Sequence, residues 1–571
     1  MSASVRGVAR VRVVICRDRL QRAEYRQSVE ERLGQGESER QVAAELGVAR
    51  STLREWQALR LAQEAPEKLG AFAATPEGVR WLQRMVVAAQ LVITLRAGAG
   101  VRMVCEFLQL SGLSAFVGAS YGSQQKLNAA LEQAVVAIAE EQRTVLGEAM
   151  APRQVTVCED ETFHPEICLV ALEPVSNFIV LEQYAKDRCA ATWTKALDAA
   201  LGELPVEVIQ GTSDEAKALR RHIEKDCKAH HSPDLFHCQH EVSKATSLHL
   251  ARQVKQAEVE VASAEAQCQA EREAEAAYWR QRHHRPGRPP AFEQRIQVAM
   301  GDLAQARIEQ EQAQARQREA RDLIGELGEL YHPYALDSGR TQPLKHLAER
   351  FETVWSRLYT LARDADLPSR GREHLAKAQR LSTQLLATVT FFFATILAKV
   401  EALNLPPDVH QAVIEQLIPA IYLERVAARS TAAESRHRLR TSSAQLLAPL
   451  RQGEHPLQQL APASRARIEQ VATECADLFQ RSSSAVEGRN GQLSLFHHGR
   501  HRLSDSKLAA LTAVHNFHIR RSDGTTAAER LFGRSHTPLF EQLIDQMPLP
   551  PPPRRRRPPP PRQPYLRPLA A

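Results

Sequence analysis

With 571 residues and 43% apolar content, the chain has room for several domains that each bury a core, which excludes a wholly disordered protein. Its nine cysteines make no CxxC pair and no even framework, a pattern of reduced thiols used as small core residues rather than of a secreted disulfide scaffold. The net charge is +7, yet six arginines fall in the acid-free stretch from Met547 to Ala571, so the remainder is nearly neutral and net charge alone says little about an anionic partner.

The first residues contain arginines but no sustained apolar run, so no secretory signal is expected and the cytoplasm is the expected compartment. From Arg26 to Leu61, SVEERLGQGESERQVAAELGVARSTLREWQ reads as three short helices. Ser38 caps a helix that runs to Leu46, Gly47 supplies a tight turn, and Arg50 to Leu59 forms the next helix. Val42, Ala43, Leu46, Val48, Leu53 and Trp56 are spaced to pack the two helices together. This is a helix-turn-helix pattern spanning residues 1–65, with Arg50, Ser51, Thr52 and Arg54 opening the helix that would face DNA. An ordinary helical hairpin is the alternative. Residues 66–150 are also helical, and GAGVRMVCEFLQLSGLSAFVGAS could be a second such module.

At Gln154 the texture changes. VTVCED, ICLVALE and FIVLEQY are apolar and β-branched, with turn-forming Pro174, Ser176 and Asn177 between the last two, which predicts a three-stranded meander. A helix from Ala190 to Leu201, the strand VEVIQ, a helix to about Cys227 and a short strand at DLFHC complete a β-β-β-α-β-α-β order in residues 151–245. Trp193, beside Ala196 and Leu197, reads as core rather than a base-stacking platform.

Residues 246–480 read as helical throughout. Val254, Ala257, Val261, Ala264 and Cys268, and again Phe292, Ile296, Ala299, Leu303 and Ala306, recur at steps of three and four. HHRPGRPP interrupts them and cannot stay helical. A coiled-coil hairpin over about 250–328 is therefore expected. The apolar run Leu385 to Ala398, broken by Thr388, Thr390 and Thr395, is shorter than the roughly 20 residues of a membrane span and is expected to be a buried helix, so no membrane partner is expected. SSSAVEGRNGQLSLFHH opens another helix in the segment 481–546, and the tail 547–571 alternates proline and arginine blocks expected to be extended and disordered.

Asp160 is expected to end the first strand, Asp214 to lie just beyond the fourth, and Glu487 near the start of the late helix. Carboxylates from three elements at one sheet edge make a hard-oxygen site suited to Mg²⁺. Two such ions, roughly 3.5 to 4 Å apart, would serve an in-line phosphodiester displacement. A chain rich in acids places some at strand ends by chance, so none of these carboxylates is decisive singly.

CEDETF, VIQGTSDEAKAL and SSSAVEGRNGQLSLFHHGRHRLSDSKLAAL resemble the three acidic motifs of bacterial insertion-sequence DDE transposases with an RNase H-like catalytic domain. The third is the most specific of them. The resemblance covers roughly Gln154 to Glu241 and Ser482 to Arg534. It implies an α/β RNase H-like mixed sheet split by a large all-α insertion, with Asp160, Asp214 and Glu487 as catalytic metal ligands for two Mg²⁺ or Mn²⁺ ions. It implies metal-dependent cleavage and strand transfer of double-stranded DNA at transposon ends and target, by a homodimer or larger synaptic assembly in the bacterial cytoplasm at the nucleoid.

Glu159 and Glu161 flank Asp160 but alternate to the other face of the strand. Asp234 rivals Asp214, which is preferred because VEVIQ is the stronger strand. His237, Cys238 and His240 resemble a Cys and His rich stretch of some transposases; zinc binding is possible, but packing near the active site is favoured because no second ligand pair lies nearby. Arg489, Asn490, Arg500, His501, Arg502 and Lys507 would hold phosphates of the cleaved strand, with a solvated basic helix as the plain alternative. Competing functions are a non-catalytic, domesticated DNA-binding regulator and a coiled-coil scaffold.

Overall fold

The computed structural model describes residues 29, 31–48, 50, 53–54, 69, 72–73, 75–163, 166–202, 204–281, 287–499 and 503–552. These divide into two compact units, one drawn from residues up to Ile138 and from Thr537 onward, the other from Ala139–His536.

In the first unit, helix α1 (Glu39–Glu45) starts where the Ser38 side chain accepts a hydrogen bond from Gln41 N at 3.3 Å. It ends in a turn at Gly47 with φ +64°, a conformation that costs glycine no Cβ clash. Val29, Val42, Ala43 and Leu53 are buried together, with Leu33 and Leu46 against them, which is the packing their spacing predicts. Arg50 and Arg54 both reach Glu39, at 3.5 and 3.1 Å. Ser51, Thr52 and Trp56 lie outside the described residues.

Helix α2 (Pro76–Gln90), capped by Thr75, runs on as a π turn through Leu91–Arg96; α3 (Val101–Leu110) and α4 (Tyr121–Glu148) follow. Gln90 donates to Gln124 Oε1 at 2.8 Å and Thr94 to Asn128 Oδ1 at 2.8 Å, so their buried seam is partly polar and specifies the pairing of the helices. The late helix Leu539–Gln546 joins this unit: Gln83 donates to the carbonyls of Ile544 and Met547 at 3.1 and 2.7 Å, and Arg84 pairs with Glu541 at 2.6 Å. The sequence boundaries 66–150 and 481–546 therefore shift, because these bonds join residues more than 450 positions apart.

The second unit is built on a mixed sheet. Strands β1 (Arg153–Phe163), β2 (Ile167–Glu173) and β3 (Phe178–Ala185) form the antiparallel meander. Helix α5 (Ala190–Leu201) leads to β4 (Val206–Ser213), and α6 (Lys217–Arg221), continued by a π turn at His222–Asp226, leads to β5 (His230–Pro233). The strand order is β3-β2-β1-β4-β5, with β4 and β5 parallel to β1. At Gly211 any Cβ would come within 2.6 Å of Ile223 Cδ1, so glycine lets the π turn lie close against the sheet.

The fifth strand is HHSP, not the expected DLFHC. Asp234 Oδ1 accepts from Phe236 N at 2.7 Å, so the aspartate ends the strand and caps the next helix. β1 also runs on past Asp160 to Phe163, paired with β2 throughout.

Helices α7 (Leu235–Gln281) and α8 (Phe292–Leu330) form the expected antiparallel hairpin. Ala257, Cys268, Phe292 and Ala299 are buried along its seam, and Gly287 in the turn has φ +109°. Then come α9 (Leu344–Asp364), α10 (Ser369–Glu401), α11 (Pro407–Ala412), α12 (Ile418–Arg429), α13 (Ala433–Leu450) and α14 (Pro462–Asp477). Among the described residues α10 is the one helix long and apolar enough to cross a membrane. Here its Leu385, Val389, Phe392 and Ile396 are buried in the helical core, and Phe391 stacks on His230 of β5 with ring centroids 4.5 Å apart.

Helices α15 (Ser484–Gly499), α16 (Asp505–Phe517), α17 (Ala527–Phe532) and α18 (Leu539–Gln546) complete the described chain. Asn516 of α16 accepts from Ile179 N and donates to Ile179 O, both at 2.9 Å. This satisfies the backbone of the edge strand β3, which would otherwise invite further strand pairing.

Candidate metal centre

Three junctions bring carboxylates to one end of the sheet. β1 and β4 are in parallel register at Cys158 and Thr212, so two residues further along each strand Asp160 and Asp214 come level and on the same face. β4 and β5 pair Ser213 with Pro233, so Asp214 comes level with Asp234 as well. Helix α15 then lies on β1 and β2, with Glu487 in its first turn.

Asp160 is oriented from two sides. Its Oδ2 accepts from Asn490 Nδ2 and its Oδ1 from Glu161 N, each at 2.9 Å. Burial pushes its carboxyl up to about 6; the Glu161 amide opposes this, while the negative charges of Asp214, Glu161 and Glu487 add to it. Asp160 is therefore a buried carboxyl on which the surrounding charge is negative. Asp214 uses Oδ1 to accept from Ala216 N at 2.9 Å, closing the turn into α6.

The neighbouring acids of β1 face the other way, as strand alternation predicts. Glu159 is fully buried and lies 3.4 Å from His222 Nε2. The His222 ring loses charge stability by burial, but Cys227 and Glu159 more than reverse this and carry its pKa up to about 10. Glu161 accepts from Trp193 Nε1 at 3.3 Å and lies 3.8 Å from Arg188. Trp193 is thus a core residue, fully buried beneath the sheet.

Asp234, His237 and Glu487 each offer a ligand atom within 4.8 Å of the others. Asp234 is nearly fully buried, and its Oδ2 takes Ser483 N at 3.0 Å and Ser483 Oγ at 2.6 Å. It therefore ties the start of α15 to the start of α7, fixing where Glu487 emerges. The local pattern hid this role, since Ser483 lies 249 positions away; the signal available was the short HHSP strand, which makes Asp234 the level neighbour of Asp214. Cys238 is buried, donates its thiol to Ala378 O at 3.5 Å and has its pKa pushed up to about 12 by burial, so it packs in the core. His240 stacks on Phe236, with centroids 5.5 Å apart. Zinc binding by His237, Cys238 and His240 together thus loses its thiolate.

The basic residues expected on phosphate divide. Arg489 is buried, donating Nε and Nη2 to Glu182 at 2.7 and 2.6 Å, with Thr512 adding a bond to the same carboxylate at 2.5 Å. Its guanidinium is spent on holding α15 to β3, which corrects the phosphate role. Lys507 is also buried, which corrects its expected exposure to DNA. Asn490 belongs to the centre, as a positioning group for Asp160. Arg500, His501 and Arg502 lie outside the described residues, as does the chain beyond Pro552.

Among the described residues, the acids and histidines whose ligand atoms come within reach of one ion are Asp234, His237 and Glu487, two carboxylates and one imidazole, a set that suits a divalent cation. Asp160 and Asp214 are not in that group. The family model that matches covers residues 413–559, about a quarter of the chain, and is described as a family of unknown function, DUF6399. It includes Glu487 and Asn490 but neither Asp160 nor Asp214. Comparison with curated proteins gives no match.

Proposed function

We propose that this chain is a DDE-type transposase, with an RNase H-like core that cleaves and joins DNA through divalent ions held by Asp160, Asp214 and Glu487. The observation that supports the reading is the order of the sheet and the helix laid on it. Asp160 lies on β1 and Asp214 directly after the end of its parallel neighbour β4 in a β3-β2-β1-β4-β5 sheet, and Glu487 returns on α15 after an all-helical stretch. Burial raises the Asp160 carboxyl, and the negative charges of Asp214, Glu161 and Glu487 add to the rise, which suits a position that takes a cation.

Mg²⁺ or Mn²⁺, bound as a pair, supplies activation of the attacking oxygen and stabilisation of the leaving one. The chain's own groups orient the ligands: Asn490 and the Glu161 amide hold the Asp160 carboxylate, and Asp234 holds the Ser483 turn from which Glu487 projects. Second-layer bonds of this kind set ligand direction and metal affinity. The Ser38-capped helix and the turn at Gly47 support a helix-turn-helix DNA reader, with Arg50 and Arg54 exposed beside Glu39. Joining two DNA ends calls for at least a dimer, within the cytoplasm at the nucleoid.

The test is nicking of duplexes cut from the DNA flanking the gene by the purified full chain. Mg²⁺-dependent cleavage is expected in the wild type and none in Asp160→Asn. Cleavage that survives chelation would overturn the reading.

A further inference from the structure

We propose that the cleft between the ends of α8, α12 and α14 and the start of α13 is a phosphate-binding site that takes the sugar-phosphate backbone of DNA, away from the carboxylate centre. The cleft holds about 320 Å³ and is lined by Arg425, Arg429, Arg438 and Arg481, against Glu329 and Asp477. Arg425 neutralises Asp477 through bonds of 2.7 and 3.1 Å. Arg429, Arg438 and Arg481 then face Glu329 alone, and three cations against one anion leave a charge of +2.

Arg481 is anchored within the lining. Its Nη2 donates to Gly328 O, while its Nε is sequestered from solvent with no partner. The guanidinium thus adds a fixed positive charge to the lining, while the exposed donors of Arg429 and Arg438 are the ones a phosphate oxygen can meet. Arg429 and Arg438 are exposed at the mouth, so a diester can approach without displacing either from a partner in the chain.

The position of Arg481 links the cleft to the centre. Its carbonyl accepts from Leu235 N at 3.0 Å, and two residues later Ser483 donates to Asp234. A strand held in the cleft therefore grips the segment that leads into α15.

The proposal rests on the DNA-handling reading above, so its test reads binding and not cleavage. Duplex affinity of the full chain is titrated against salt in a chelating buffer, comparing wild type with Arg429→Ala, Arg438→Ala and the exposed control Arg363→Ala. Each cleft variant should weaken binding about tenfold, the order expected for a lost charge-assisted bond, and flatten the slope of log affinity on log salt by about one. Arg363→Ala should change neither. Inorganic phosphate, followed by calorimetry, distinguishes the source: phosphate binding lost in the variants with no change in duplex affinity would show a small phosphate ligand and overturn the DNA part. Unchanged duplex affinity, salt slope and phosphate binding would overturn the site itself. A chain that binds duplex through the cleft yet never cuts it removes the transposase reading and leaves the cleft standing.

Discussion

The two faces of β1 treat three consecutive acids in opposite ways. Behind the sheet, Glu159 meets His222 and Glu161 meets Trp193 and Arg188, so each has a cation or a donor of its own. In front, Asp160 accepts from the amides of Asn490 and Glu161, and the charges of Asp214 and Glu487 add to the rise that burial gives its carboxyl. Charge that the fold balances is structural; charge left without balance is what a cation site would need, and it is this contrast that the proposed metal role rests on. Arg489 teaches the same from the opposite sign. It looks like a phosphate contact in the sequence, but it is consumed by Glu182.

The largest effects should fall on the front face. Asp160→Asn, Asp214→Asn and Glu487→Gln should each reduce strand cleavage about a thousandfold or more, and pairs of them should be scarcely worse, as for groups acting as a unit. Single-turnover cleavage at equal DNA occupancy measures this, and an active Asp214→Asn beside a dead Asp234→Asn would transfer the second ligand to Asp234.

Next in size is the balanced ion pair. Arg489→Ala leaves Glu182 buried without its partner and should cost about 3–5 kcal/mol, read by denaturant unfolding. The double change Arg489→Met with Glu182→Leu should recover much of that loss; if it does not, the pair holds α15 by more than charge.

Asp234 separates scaffolding from ligation. Asp234→Asn weakens the helix cap and the Ser483 bonds, and should cost about 1–3 kcal/mol while the folded fraction keeps substantial cleavage. Loss of cleavage at unchanged stability would make Asp234 a metal ligand.

The smallest effect is the pH dependence of the front face without metal. Because the Asp160 carboxyl is raised from 3.8 to about 6 in the folded chain, its contribution to stability is full below about pH 4 and is lost as pH rises through about 6. The thermal midpoint of wild type relative to Asp160→Asn should fall over that window in chelating buffer, and Mg²⁺ should reverse the fall. A difference that does not change with pH would show that neither burial nor its acidic neighbours raise the Asp160 carboxyl in the folded chain.

Much of this was legible locally. Alternation along a strand depends only on neighbouring residues, so it separates Asp160 from Glu159 and Glu161 before any tertiary contact is known. The same holds for the Ser38 cap, the turn at Gly47 and the small-residue seam of the α7–α8 hairpin, which rest on backbone geometry and on periods of three and four. Tertiary structure decided the rest, because burial and charge compensation depend on partners distant in the chain. Glu182 lies 307 positions from Arg489, Ser483 lies 249 from Asp234, and Asp160 lies 330 from Asn490. No local pattern encodes whether a guanidinium will find a carboxylate or face solvent; only the packing of α15 and α16 on the sheet determines it, since that packing removes the water that would otherwise solvate each charge alone.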